Sequence, residues 1–97
     1  MHIVTVEFIV EPGRAADFRA AMIDNARASR EREAGCSQFD VCTDVDDPAT
    51  IFLYEVYDDR AAFEVHLASA HFKSFDLLVK PWIRRKTVRT YLRLDAD

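Results

Sequence analysis

Ile51 to Phe72 reads IFLYEVYDDRAAFEVHLASAHF, and this stretch decides the fold. Its first seven residues alternate: Phe52, Tyr54 and Val56 against Ile51, Leu53, Glu55 and Tyr57. That period of two predicts a strand, and both of its faces are apolar enough to be covered. Glu55 sits inside one of those faces, so its carboxyl needs a partner or a proton. Asp58 and Asp59 end the strand and supply a helix cap. On the helix that follows, Phe63, His66 and Leu67 fall on one face at spacings of three and four. His71 opens the next helical segment. One carboxyl and two imidazoles thus fall within a short span, on elements expected to pack together.

Working outward, His2 to Val10 alternates in the same way and predicts a first strand. Glu11-Pro12-Gly13 is a turn. From Arg14 to about Glu33 the period becomes helical. Phe18, Met22, Asn25 or Ala26, and Ser29 form the buried stripe, while Arg19, Asp24, Arg27 and Arg30 to Glu33 are placed on the outer face. Asn25 lies one turn beyond Met22, where a buried amide needs a partner, either a structural one or a ligand. Ala34-Gly35 is expected to close this helix through a glycine cap. Cys36 to Thr43 predicts a second strand, with Ser37, Phe39 and Val41 opposite Cys36, Gln38, Asp40 and Cys42. Asp44 to Thr50 is its hairpin loop. Helical segments cover Arg60 to about Ala68 and then Phe72 to Val79, stopping at Pro81 before Trp82. Lys86 to Leu94 is the last strand, and 95–97 is expected to be a frayed tail.

The resulting order, strand-helix-strand-strand-helix-strand, predicts an α+β fold. It is a single ferredoxin-like split βαβ domain over residues 1–97, with a four-stranded antiparallel sheet. Two helices cover only one face of such a sheet. A second copy of the chain is the simplest cover for the other, so a homodimer packed sheet against sheet is expected.

Composition narrows the function classes. The 97 residues carry a net charge of −4 with both signs interspersed, which argues against a nucleic-acid partner. Arg84, Arg85 and Lys86 form the one basic cluster. Residues 1–10 contain Glu7 and lack a basic start and a cleavage site, so neither a signal peptide nor a membrane span is expected, and a cytoplasmic location is the default. Cys36 and Cys42, six residues apart in one strand, would stand roughly 20 Å apart at ~3.3 Å per residue. That is too far for a disulfide or a shared metal. The three histidines likewise make a poor metal set, and no metal or other cofactor is predicted.

Glu-Pro-Gly-Arg before a helix that ends in Glu-Ala-Gly-Cys, then Phe-Asp-Val, resembles the antibiotic biosynthesis monooxygenase (ABM) domain family. So do Tyr-Glu-Val-Tyr-Asp-Asp, Ala-Phe-Glu-Val-His and Ser-Ala-His-Phe, and the run Glu55, Tyr57, Ala62, His66, His71, Phe72 is the most specific part. The resemblance implies a dimeric α/β-barrel type of assembly with a pocket between sheet and helices in each subunit. It also implies activities that range from cofactor-free oxidation of quinols or polyphenols to processing of the phosphorylated autoinducer-2 signal and haem degradation. The first two branches look closest.

A cofactor-free oxygenase must deprotonate an electron-rich substrate, so that the phenolate itself can pass an electron to dioxygen. A neutral imidazole suits that step near neutral pH. His66, steadied by Glu55, is the expected base, with His71 and Asn25 hydrogen-bonding the substrate oxygens. Phe39, Tyr54, Phe63, Phe72, Phe75 and Trp82 are the candidate aromatic walls. An isomerase for a small phosphorylated carbonyl compound would need nearly the same groups, and a non-enzymatic small-ligand module could also hold them.

Overall fold

The computed structural model describes residues 1–95, so Ala96 and Asp97 of the expected frayed tail lie outside the described residues. Four strands are present: β1 (His2–Val10), β2 (Cys36–Thr43), β3 (Thr50–Tyr57) and β4 (Ile83–Leu92). The helices are α1 (Ala15–Arg32), α2 (Arg60–Ala68) and α3 (Ala70–Val79), with short 3-10 turns at Pro12–Arg14 and Lys80–Trp82. The sheet order is β2-β3-β1-β4, and every neighbouring pair is antiparallel. This is the ferredoxin-like α+β fold expected from the sequence. The last strand starts and ends earlier than expected, because Pro81 and Trp82 turn the chain directly into the sheet.

Register explains which residues face the helices. Val4, Val6, Phe8 and Val10 of β1 and Ile51, Leu53, Glu55 and Tyr57 of β3 are all buried on that side. Phe18 of α1 meets Phe8 at 5.0 Å and Phe75 of α3 at 5.9 Å between ring centroids, tying three elements together. Each such fully buried ring removes apolar surface worth about 1.5–3 kcal/mol. The other face of the sheet is more polar than the alternation suggests. Glu7, Arg85, Thr87 and Arg89 stand there beside Thr5 and Phe52.

Cys36 differs from its expected side. A shift in register between Cys36 and Gln38 leaves Cys36 opposite Tyr57 and buried, while Ser37 is the extra residue. Cys36 therefore shares the helix-facing side with Phe39, and burial raises its thiol to about 11. Both cysteines are free, and Cys42 is exposed.

The expected glycine cap of α1 is also corrected. The helix ends on Glu33, whose backbone is extended, and among the described residues no glycine has a positive φ. Gly35 is instead required for space. A Cβ there would lie 2.6 Å from the Ala62 Cβ of α2. The Asp58 N–H also donates to the Gly35 carbonyl at 2.9 Å, so the two chain segments run in close contact. At the start of α2 the Asp59 carboxylate accepts from the Ala62 N–H at 2.8 Å, a cap worth about 1 kcal/mol. Ser69 both ends α2 and caps α3, accepting from the Phe72 N–H. Capping at this corner thus belongs to Ser69 and leaves His71 available for other contacts.

Candidate functional site

His66 lies in the last turn of α2 and points inward, with 2% of its surface exposed. Phe39, Tyr57, Phe63 and Phe72 surround its ring, with centroids 5.0–6.2 Å away. Burial lowers its basicity, and the adjacent Glu33 works in the opposite direction. His66 is thereby biased toward the neutral form that a base requires.

The carboxylate that holds it is Glu33, not Glu55. Glu33 Oε2 lies 2.9 Å from His66 Nδ1 and 2.5 Å from His71 Nε2. Ser29 Oγ stands 3.4 Å from the same two ring nitrogens and donates to the Asn25 carbonyl at 2.8 Å. Glu33 is 8% exposed, and its second oxygen is buried without a protein partner. With a carboxylate on Nδ1, the proton sits there and Nε2 keeps its lone pair, the arrangement a carboxylate imposes on a catalytic imidazole.

Glu55 has a different partner. The Tyr57 hydroxyl donates to it at 2.5 Å along the same strand. Burial raises Glu55 to about 7, only partly offset by the Tyr57 hydrogen bond and by Lys86. The same burial and the neighbouring carboxylate push the Tyr57 hydroxyl upward, so it stays a donor. The expectation that Glu55 steadies His66 fails for a geometric reason: β3 aims it at its own i+2 neighbour.

A cavity of about 60 Å³ lies between the sheet and the helices. Asn25, Phe39, Glu55, Phe63, His66 and Phe72, all singled out in the sequence, line it, and Lys86 and Val88 of β4 join them. Asn25 is 5% exposed. Its Nδ2 reaches only the Met22 sulfur at 3.9 Å, and its Oδ1 is buried with no partner. His71 stands behind this cavity, joined to it through Glu33, and lines an adjoining groove between α1 and α3. Two expected wall residues lie elsewhere. Tyr54 pairs in register with Thr5 and Asp40 on the opposite face of the sheet. Trp82 packs against the far end of the core, with the Arg14 guanidinium 5.2 Å from its ring.

Glu33 does not keep to the outer face expected of it. The stripe Met22, Asn25, Ser29 continues by four residues onto Glu33, and that periodicity is the signal that could have found it. Tyr57 is marked in the sequence only as part of the family-like run, without a role, and Lys86 carries no signal beyond its strand position.

Glu33, His66 and His71 are also the donor types of a two-histidine, one-carboxylate metal set, with ligand atoms within 4.8 Å of one another. Two ligands at ~2.0–2.1 Å from one tetrahedral ion stand about 3.3 Å apart. The Glu33 contacts of 2.5 and 2.9 Å are shorter than this and have hydrogen-bond lengths. At these lengths the three side chains form a hydrogen-bonded cluster that can share protons.

The sequence profile of the antibiotic biosynthesis monooxygenase family matches residues 1–76, a span that includes all of the Glu33, His66 and His71 cluster. Among solved structures, a candidate antibiotic biosynthesis monooxygenase from Nitrosomonas europaea is similar with a TM-score of 0.92. It is 28% identical, over 97% of this chain and 99% of that one. A protein from Pseudomonas aeruginosa gives a TM-score of 0.89 at 26% identity, over 96% and 93% of the two chains. One from Mycobacterium tuberculosis gives 0.89 at 25%, over 98% and 96%.

Proposed function

Because the chain belongs to the antibiotic biosynthesis monooxygenase family, we propose that it oxidises a small quinol or polyphenol-like aromatic with dioxygen, using no metal, flavin or haem. The observation that carries this reading is the placement of the buried His66. It is fixed by Glu33 at the wall of an aromatic-lined cavity, where Asn25 offers an unpartnered buried oxygen.

In this mechanism His66 Nε2 takes the proton of a substrate hydroxyl. The resulting phenolate gives one electron to dioxygen, and the two radicals join at the ring carbon beside the oxygen. Loss of the hydrogen on that carbon and cleavage of the O–O bond then leave a new carbonyl and release water. In sum, one hydroquinone and one dioxygen give one hydroxyquinone and one water. One oxygen atom enters the ring, and the other leaves as water with two hydrogens and two electrons drawn from the substrate. The aromatic walls exclude water, and Asn25 Oδ1 accepts from the substrate's second hydroxyl.

A second reading has one observation in its favour. Lys86 shares the cavity with Glu55 and His66. A cation next to an acid-base pair would suit a phosphorylated carbonyl compound undergoing enolisation.

The assembly is part of the proposal. We propose a homodimer through the uncovered sheet face. Phe52 and Tyr91 are 39% and 48% exposed on that face, and Glu7, Arg85 and Arg89 lie near one another on it, so the face carries both signs of charge, which suits pairing with a copy of itself. Light scattering should then give twice the chain mass at micromolar concentration, and a monomer would remove the dimer.

The deciding experiment is oxygen uptake by the metal-stripped protein with a panel of hydroquinones and polyphenols, beside His66→Ala. Uptake above the autoxidation blank that collapses in the variant supports the reading. Absence of uptake with every compound, together with anaerobic turnover of a phosphorylated dicarbonyl, would replace it with the isomerase.

A further inference from the structure

The cavity and the outer groove meet at a shared wall of Asn25 and Phe75, and one carboxylate bridges a histidine of each. His66 lines the first, His71 lines the second, and Glu33 Oε2 contacts a ring nitrogen of each at 2.9 and 2.5 Å. The groove lies between α1 and α3 among Asp24, Arg32 and Ser74, all of them exposed. The His71 side chain is 12% exposed where that of His66 is 3% exposed, so His71 is the solvent-side member of the pair.

A buried cluster with one carboxylate is best balanced with one imidazolium, because two cations or none leave a net charge in a poorly solvated site. A substrate in the cavity would also seal the Nε2 side of His66. Its remaining route to water is then through Nδ1, Glu33 and His71.

We propose that His71 is the counter-site of His66: the two imidazoles share one proton over the Glu33 carboxylate, and His71 releases its proton to the outer groove as His66 takes one from the substrate. In that step the substrate O–H bond breaks and an N–H bond forms on His66 Nε2. An N–H bond on His71 Nδ1 breaks, and its proton passes to water in the groove. The charge of the cluster stays constant, so a buried base is protonated without a new buried charge. When His66 returns its proton to the leaving oxygen, His71 is recharged from solvent. His71 is therefore a positioning and charge-balancing residue, not one that touches substrate. This inference rests on the proposed base role of His66.

The other charged and titratable groups around the cluster are Glu55 and Tyr57 from β3, Cys36 from β2, Lys86 from β4, Asp76 from α3, and Asp24 and Arg32 from α1. The sharing must hold with all of these in place, so the test uses the intact chain. Imidazole 15N NMR across pH 4–9 reads the His66 midpoint directly, without turnover. In His71→Gln the His66 midpoint should rise by about one pH unit, since the competing cation is gone and the carboxylate remains. In Glu33→Gln it should fall, and adding His71→Gln to that background should then move it little. A His66 midpoint that is the same in wild type and His71→Gln overturns the proposal. So does an equal response to His71→Gln with and without Glu33.

Turnover supplies the second arm. With a hydroquinone substrate, the acid limb of kcat/KM in His71→Gln should move up in pH together with the NMR midpoint. A merely structural His71 would lower the whole profile without shifting it. If no quinol is turned over but the NMR coupling is present, the catalytic reading fails and the shared proton stands. If turnover is present and the limb does not move, the reverse holds.

Discussion

Glu33 Oε2 and His66 Nδ1 lie 2.9 Å apart although 33 residues separate them in the chain. The contact joins the C-terminal end of the longest helix to the face of another, and both groups are almost wholly buried. It fixes the tautomer of the imidazole and puts its free nitrogen at the cavity.

Removing that carboxylate should damage activity and stability together. Glu33→Gln keeps the shape but removes the charge and one acceptor. Steady-state kinetics of the proposed quinol oxidation should show a fall of about 10²-fold or more in kcat. Urea unfolding should show a loss of a few kcal/mol, as for breaking a buried charged hydrogen-bond network. A variant with wild-type kcat would remove Glu33 from the mechanism.

Glu55 makes the fold sensitive to alkali. Its folded value of about 7 lies above the ordinary carboxyl value of 4.5, so the folded state binds more protons than the unfolded state between those limits. The contribution is complete below the lower limit and is lost as pH rises through about 7, and the sum is on the order of 3 kcal/mol. Glu55→Gln, which can still accept from Tyr57, should match wild type near pH 4 and exceed it at pH 8. His66 has the opposite slope. Burial lowers it, so its contribution is present above 6.5 and is lost as pH falls. Comparing the variant with wild type at each pH cancels this second effect. A pH-independent gap in urea midpoints would contradict the assignment.

Asn25 is predicted to trade stability for binding. Its buried Oδ1 has no partner, and leaving such a group unsatisfied costs about 1–3 kcal/mol. Asn25→Leu, which keeps the branched shape and fills part of the adjoining cavity, should therefore raise the urea midpoint of the substrate-free protein. The same change should raise KM for a diphenolic substrate more than it lowers kcat. A variant that is both less stable and unaltered in KM would return Asn25 to a packing role.

Gly35→Ala should be destabilising through Ala62. The added Cβ would sit 2.6 Å from the Ala62 Cβ, a distance that forces the α2 backbone to move. Overpacking of this kind costs about 1–3 kcal/mol. Adding Ala62→Gly should recover much of the loss attributable to the clash, visible as a favourable coupling in a double-mutant cycle. Additive effects would mean that the two segments relax independently.

The periods of two and 3.6, the Asp59 cap and the Pro-Gly turn sufficed for the element order and the ferredoxin-like sheet. Alternation is imposed by the backbone itself, so it can be read locally. The same logic located His66 and Asn25 on buried stripes. It did not locate Glu33, because a carboxylate at a helix end beside Arg30 and Arg32 looks like solvated surface until the elements facing it are known. Whether that end is buried depends on α2 and α3 closing over it, and Gly35 lets α2 approach closely enough to do so. Glu55 shows the same limit in reverse. Sequence placed it correctly on a covered face, but a strand offers several neighbours there, and only the register of the folded sheet decided that its partner is Tyr57. Side-chain periodicity is a property of one segment, whereas a hydrogen-bond partner belongs to two, and their distance exists only once the chain has closed.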